Sequence, residues 1–344
     1  PEYGEVMKSS FVLLLALMLV LPCAALAETI DDNDLRIELE PLYLWRNSSS
    51  EYTMLYNTIL PGSNVWPWRH FNTGQIQAPA GIGFQGDVTW QLSDFFAIQV
   101  GGFWTPEIST SGTQFDPNEP NGGGTDAVYN RSPGNDLNTW ASQGLQSLEY
   151  TFDSQIWGLE ANLRGNLGDD LPWLELYLGY RYISYYEELG TVAYDDLDDY
   201  QGTDNEIDRV NIVSSNHLHG AQLGVDVEFE LCEGLTVGTD AWVAAFRNLV
   251  SVSRDFRTDD RPNNVRDDSM SGANWAYGFG FSPELRYQPW DNVAFTLGGD
   301  FIHISNISMA GAYYKTVANL DDDTLRPYDG VVYMGAHAGI VIMF

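Results

Sequence analysis

From residue 35 to residue 344 apolar and polar residues alternate with a period of two, and the stretches between alternating segments come in two distinct lengths. A strand points successive side chains to opposite faces, so the pattern specifies sheet with one apolar face. The last segment shows the pattern and the eighth shows it most clearly. Val332, Met334, Ala336, Ala338, Ile340, Ile342 and Phe344 share a face, opposite Tyr333, Gly335, His337, Gly339, Val341 and Met343. The eighth segment sets Trp275, Tyr277, Phe279, Phe281, Leu285 and Tyr287 against Ala276, Gly278, Gly280, Ser282, Glu284 and Arg286. The remaining apolar faces begin at Leu35, Ile82, Phe96, Trp157, Leu174, Ala221, Leu235 and Val293. Each segment has about the length that a tilted strand needs to cross a bilayer, roughly 9–11 residues.

Tight turns follow the even-numbered segments, at Leu92–Asp94, Gly168–Leu171, Cys232–Gly234 and Pro289–Asp291. Loops of roughly 25–40 residues follow the odd-numbered ones, far above the usual connection length. A soluble sandwich has no reason to gather every long loop at one end, and its apolar stripes would need a second sheet to cover them. An outer-membrane barrel has both features. The expected fold class is all-β: a transmembrane up-and-down antiparallel β-barrel of about ten strands, with long extracellular loops and short periplasmic turns. Such a barrel pairs every backbone N–H and C=O without an edge, the condition that hydrocarbon imposes. Thr105–Gly144 has room for one further hairpin. Interfacial aromatics are expected at both rims: Trp90, Trp173, Trp290 and Phe344 near the turns, and Trp45, Trp104, Tyr182 and Trp275 near the long loops.

The one long apolar run, Phe11–Ala27, follows Met7-Lys8 and ends in Ala25-Leu26-Ala27. That is the layout of a cleaved export signal, and the run is short for a spanning helix. The expected organisation is residues 1–6 outside the fold, 7–27 a signal peptide, and 28–344 a single barrel domain in the bacterial outer membrane. Cys232 is then the only cysteine left, which excludes an internal disulfide. The net charge of −32, with Lys8 and Lys315 the only lysines, excludes nucleic acid as a partner. The expected partners are outer-membrane lipid and, through the final strand with its terminal Phe344, the outer-membrane assembly machinery.

Several stretches resemble the beta-barrel porin type 7 family of bacterial outer membranes. They are Gln155–Gly168, Leu174–Leu189 and His217–Glu230, with Pro41–Arg46 and Phe281–Asn306 also fitting its pattern. The resemblance runs through most of residues 35–344 and weakens in the long loops. It departs from the family's pattern at His217, where an aromatic ordinarily follows the asparagine. The resemblance implies a porin and carries over no substrate and no catalytic residue.

The alternation turns Arg36, Glu38, Glu40, Asp87, Glu160, Arg164, Glu175, Arg181, Asp226, Glu228, Glu230, Asp240, Glu284, Arg286 and Asp300 toward the lumen. A water-filled bore with this acid excess favours cations over anions. The same groups can also fill the bore as Arg–carboxylate pairs, because buried charges must be paired and side chains nearly fill a barrel this narrow. Two readings therefore stand: a passive porin favouring cations, and a filled barrel acting as a structural or adhesion scaffold through long acidic loops. The acidic runs Asp195–Asp199, Asp259/Asp260, Asp267/Asp268 and Asp321–Asp323 lack the EF-hand pattern. They read as solvated surface that could hold small or divalent cations loosely. His217 and His219 lack a third ligand and read as an interfacial pair, while His337 reads as a hydrogen-bonding group inside the lumen. No Ser/His/Asp arrangement stands out, so neither an outer-membrane protease nor a lipase is favoured, and no enzyme activity, cofactor or metal is expected.

Overall fold

A computed structural model describes residues 35–48, 53–57, 71–72, 76, 80–115, 127–129, 147–167, 171–194, 206–258, 266–314 and 329–344. The expected signal-peptide region 7–27, the turn residues 168–170 and the acidic runs 195–199, 259–260 and 321–323 lie outside them. The strands are β1 (Leu35–Ser48), β2 (Thr53–Asn57), β3 (Phe71–Asn72), β4 (Gly81–Ser93), β5 (Phe96–Trp104), β6 (Ile108–Phe115), β7 (Ala127–Tyr129), β8 (Ser147–Asn166), β9 (Leu174–Tyr194), β10 (Glu206–Cys232), β11 (Leu235–Thr258), β12 (Arg266–Trp290), β13 (Val293–Ile307) and β14 (Asp329–Met343). A short helix, α1 (Ala310–Tyr314), lies between the last two.

Antiparallel pairing runs β1–β4–β5–β8–β9–β10–β11–β12–β13–β14 and returns to β1, a closed ring of ten strands among the described residues. The ring closes where Ile37 faces Ile342 and the Phe344 N–H donates to the Leu35 carbonyl at 2.9 Å. Closure leaves the main wall without an edge. Among the described residues, the segment after Thr105 adds no hairpin to the ring. β6 continues the line of β5 along the upper part of β8, and β7 joins β2 and β3 in a small separate sheet.

Up to the level of Tyr182 the wall is apolar outside and polar inside. On β9, Leu176, Leu178 and Tyr180 are exposed on the outer face while Tyr177 and Arg181 are buried inside. The nine steps from Trp173 to Tyr182, at about 3.3 Å each and tilted by about 40°, rise about 23 Å, close to the height of an outer-membrane apolar band. Trp90, Trp173, Phe229, Trp290 and Phe344 stand exposed at the turn end of this band, with Trp173 stacked on Phe229 at 5.4 Å. At its loop end stand Tyr43, Trp45, Trp104, Trp157, Tyr182 and Trp275, with Tyr43–Trp45 at 6.0 Å and Trp157–Tyr182 at 5.0 Å.

Strands β8 to β12 are 20 to 27 residues long and continue well past this level. Above it the polarity inverts. The inner positions become Leu148, Phe152, Ile183, Tyr185, Leu189, Val210, Ile212, Phe246, Val250, Val252 and Met270, all buried. The outer positions become Thr151, Tyr186, Glu188, Asn211, Ser251, Ser253 and Asp255. The upper half thus has the side-chain distribution of a water-soluble protein, and the lower half has that of a lipid-embedded barrel.

A close approach in the lower half shows how tightly the inner face is fitted. Tyr177 points inward and donates from its hydroxyl to Asp240 at 2.9 Å. A Cβ built on Gly224 of the neighbouring strand would collide with the Tyr177 ring. Gly224→Val therefore displaces the ring, at a cost of about 1–3 kcal/mol. The check is a lowered urea midpoint for the lipid-refolded protein, and an unchanged midpoint would show that the ring is free to move.

Candidate functional site

Two storeys fill the bore. The lower storey is a polar cavity of about 180 Å³ at the turn end. Its lining includes Arg36, Glu38, Glu40, Asp87, Glu160, Arg164, Arg181, Asp226, Glu228, Asp240, Glu284, Arg286 and Asp300. Each comes from the inner face of a strand whose outer face is apolar, which is why one period-two pattern places them all. Glu175 joins them through Arg164. Glu230 does not. It lies exposed beside the β10–β11 turn, because the strand runs on past the bottom of the cavity.

Four arginines organise the lower storey. Arg164 bridges Glu175 at 2.6 Å and Asp226 at 2.5 Å, and also donates to Gln99 at 3.1 Å. Arg181 pairs with Glu160 and lies over the Trp242 ring at 3.9 Å. Arg36 binds Glu38 at 2.6 Å, and Arg286 binds Glu228 at 2.7 Å and Glu284 at 2.9 Å. Carboxylates outnumber arginines, so some are held by neutral donors. Glu40 accepts from Gln85 and Thr296, both at 2.6 Å, and Asp87 accepts from Thr89 at 3.0 Å. His337 reaches Asp300 at 2.7 Å and stands near Glu40 and Glu284.

The upper storey is an apolar plug. At the end of β13 the chain turns inward at Asn306, whose φ of 62° is a left-handed conformation that asparagine tolerates. Ser308, Met309, Ala310 and Tyr313 are then buried in the bore among Ile183, Tyr185, Leu218, Phe246 and Tyr333 below, and Leu189, Ile212, Val250 and Val252 above. Polar groups buried with the plug pin its backbone. Asn216 accepts from the Ser308 N–H at 2.8 Å and donates to the Ser308 carbonyl at 2.7 Å. Ser214 adds a second donor to that carbonyl at 2.9 Å, and Asn248 orients Asn216 through a 2.9 Å bond. The Ala310 N–H donates to Glu187 at 2.8 Å, and Glu187 is also held by Arg46 and by the Tyr185 hydroxyl. Burial, together with the Glu187 carboxylate beside it, pushes the Tyr185 phenol well above its usual value and keeps it a donor.

Sequence reasoning missed this latch. Asn216, Asn248 and Glu187 lie on strand segments above the apolar band, and the plug itself lies in what reads as a loop. The small apolar run Met309–Tyr313 is the signal that could have marked it. The two outward histidines each meet a tyrosine on β9: Tyr182 to His217 at 2.8 Å and Tyr180 to His219 at 2.7 Å. Of the acidic runs, only Asp267/Asp268 falls among the described residues, with Asp268 at 3.6 Å from Arg254.

No family model matches the chain, and no curated protein matches it. Solved bacterial outer-membrane barrels resemble it in outline. The outer membrane protease OmpT of Escherichia coli is 13% identical, covers 92% of this chain and 99% of its own, and has a TM-score of 0.46. The translocator domain of autotransporter NalP from Neisseria meningitidis is 10% identical over 99% of this chain and 98% of its own, with a TM-score of 0.38. A major outer membrane protein of Thermus thermophilus is 12% identical over 90% and 99%, with a TM-score of 0.30. Likeness at this level carries no functional assignment.

Proposed function

We propose that the chain spans the bacterial outer membrane as a closed barrel. Its outer half is a rigid platform for the long acidic loops, and ions pass only when the plug is released. The observation that carries this reading is the polarity inversion of the wall at Tyr182, with the bore filled by apolar side chains above it. An apolar outer band needs hydrocarbon around it, and an apolar inner core excludes water from the bore. The filled-barrel expectation is therefore favoured over the open passive porin. The cation preference belongs to the released state, where the acid excess of the lower cavity would act. No family model bears out the resemblance to the porin type 7 family, and it leaves the solute unnamed. The proposed role is structural and non-enzymatic.

Refolding the full chain into lipid vesicles tests both halves of the reading. The protein floats with the vesicles, migrates differently before and after boiling, and adds no leak of entrapped potassium over protein-free vesicles. Protein that stays soluble without lipid would contradict the membrane reading, and a steady potassium leak would contradict closure.

A further inference from the structure

His337 carries a buried ring nitrogen that has no hydrogen-bond partner. The residue is 4% exposed, and its Nδ1 lies 2.7 Å from Asp300 Oδ2. The other Asp300 oxygen accepts from the Ser282 hydroxyl at 2.8 Å, so the carboxylate is fixed and holds the ring proton on Nδ1. Nε2 is then aimed away from Asp300. It faces Glu40 Oε1 at 3.8 Å and Glu284 Oε2 at 3.9 Å, both too far for a hydrogen bond. One nitrogen and two carboxylate oxygens, all within 4.8 Å of one another, meet between β1, β12 and β14.

We propose that Glu40, Glu284 and His337 form a site for a divalent first-row transition cation of the zinc class. Imidazole nitrogen with carboxylate oxygen suits such ions, at metal–ligand distances of about 2.0–2.2 Å. Ligand atoms around a tetrahedral ion of that size stand roughly 3.3 Å apart, so the two nitrogen–oxygen separations would close by about half an ångström and the oxygen–oxygen separation by at most about 1.5 Å. A water from the adjoining cavity fills the fourth position. Asp300 is the outer partner that orients the imidazole, the arrangement that accompanies metal-bound histidines generally.

The surroundings leave these atoms available. Arg286 engages Glu284 through Oε1, which leaves Oε2 toward the histidine. Gln85 and Thr296 hold the two Glu40 oxygens at 2.6 Å without contributing charge. Register places Glu284, Gly298 and His337 at one level on three adjacent strands. A Cβ on Gly298 would collide with His337 Nε2, so only glycine between them lets the two ligands meet. The ion would also balance two carboxylates that no arginine fully neutralises. This inference does not rest on the closed-barrel reading, because the site lies below the plug whether or not the plug moves.

The test uses the untagged full chain, refolded in detergent, stripped with chelator and titrated with Co²⁺ and then Zn²⁺. The expected result is one equivalent of Co²⁺ with visible absorption bands, displaced by Zn²⁺. His337→Gln and Glu284→Gln each weaken binding on the order of 100-fold, and Asp300→Asn weakens it about 10-fold or more. Heat-shifted gel mobility identifies the folded variants, and only these are compared. Should one ligand variant fail to fold, the other and Asp300→Asn still decide. Wild-type Co²⁺ binding no tighter than in folded His337→Gln, Glu284→Gln or Asp300→Asn would overturn the site, as would the absence of a one-equivalent phase.

Discussion

Protein in which Ser308–Tyr313 is replaced by a Gly-Ser linker of equal length opens discrete, cation-selective conductances in a planar bilayer. The segment contributes Met309 and Tyr313, both essentially inaccessible to solvent, to the apolar fill of the bore. Full burial of side chains of this size is worth about 1.5–3 kcal/mol each, and the linker forfeits it. The space left is lined by Ser214, Asn216, Asn248 and Glu187, all buried beneath the plug in the intact protein. These groups lose their backbone partners at Ser308 and Ala310, and an unsatisfied buried polar group costs about 1–3 kcal/mol. Water entry satisfies them, so hydration of the upper bore becomes favourable. The ions then meet nine carboxylates against four arginines and His337 in the lower cavity. The reversal potential in a potassium chloride gradient accordingly shifts toward the potassium equilibrium value. A folded linker variant with no openings would show that the strands' own side chains close the bore.

Arg164→Met destabilises the barrel by about 3–5 kcal/mol, the cost of stranding buried charge by removing one partner of an ion pair. Arg164 is well buried and is the cation closest to both Glu175 and Asp226, and Gln99 also depends on it. The methionine keeps most of the volume, so the loss reports charge rather than packing. Unfolding in urea from lipid vesicles measures it as a lowered midpoint with an unchanged slope. Adding Glu175→Gln and Asp226→Asn restores most of the loss, since the two carboxylates are the groups left uncompensated. A single-variant loss below about 1 kcal/mol would mean that water already screens this triad, as it does for exposed pairs.

The lower half of the barrel was legible because its alternation is unbroken. Leu174, Leu176, Leu178, Tyr180 and Tyr182 name one face of β9 without help from any other strand. The upper half was not, and β9 itself shows why. Past Tyr182 the strand continues in the same phase, yet its apolar residues move to the other face, at Ile183, Tyr185 and Leu189. A pattern that changes phase reads as the end of a strand and the start of a loop. The same slip occurs on β8 between Trp157 and Ile156, and on β11 between Val243 and Phe246. What changes there is the solvent outside the wall, which no single segment records. The metal triad was hidden for a different reason. Positions 40, 284 and 337 have no informative spacing, and only ring closure brings β1 beside β14 and so within reach of β12. Glu230 marks the opposite limit, where correct phase is not enough because the strand outruns the cavity.

Closure of the bore is the central claim, and single-channel recording of the intact protein tests it most directly. Lipid-refolded, heat-modifiable protein is inserted into a planar bilayer under a potassium chloride gradient. The account predicts a flat baseline, with steady steps appearing only in the linker variant recorded under the same conditions. Steady discrete openings from the intact protein would contradict it.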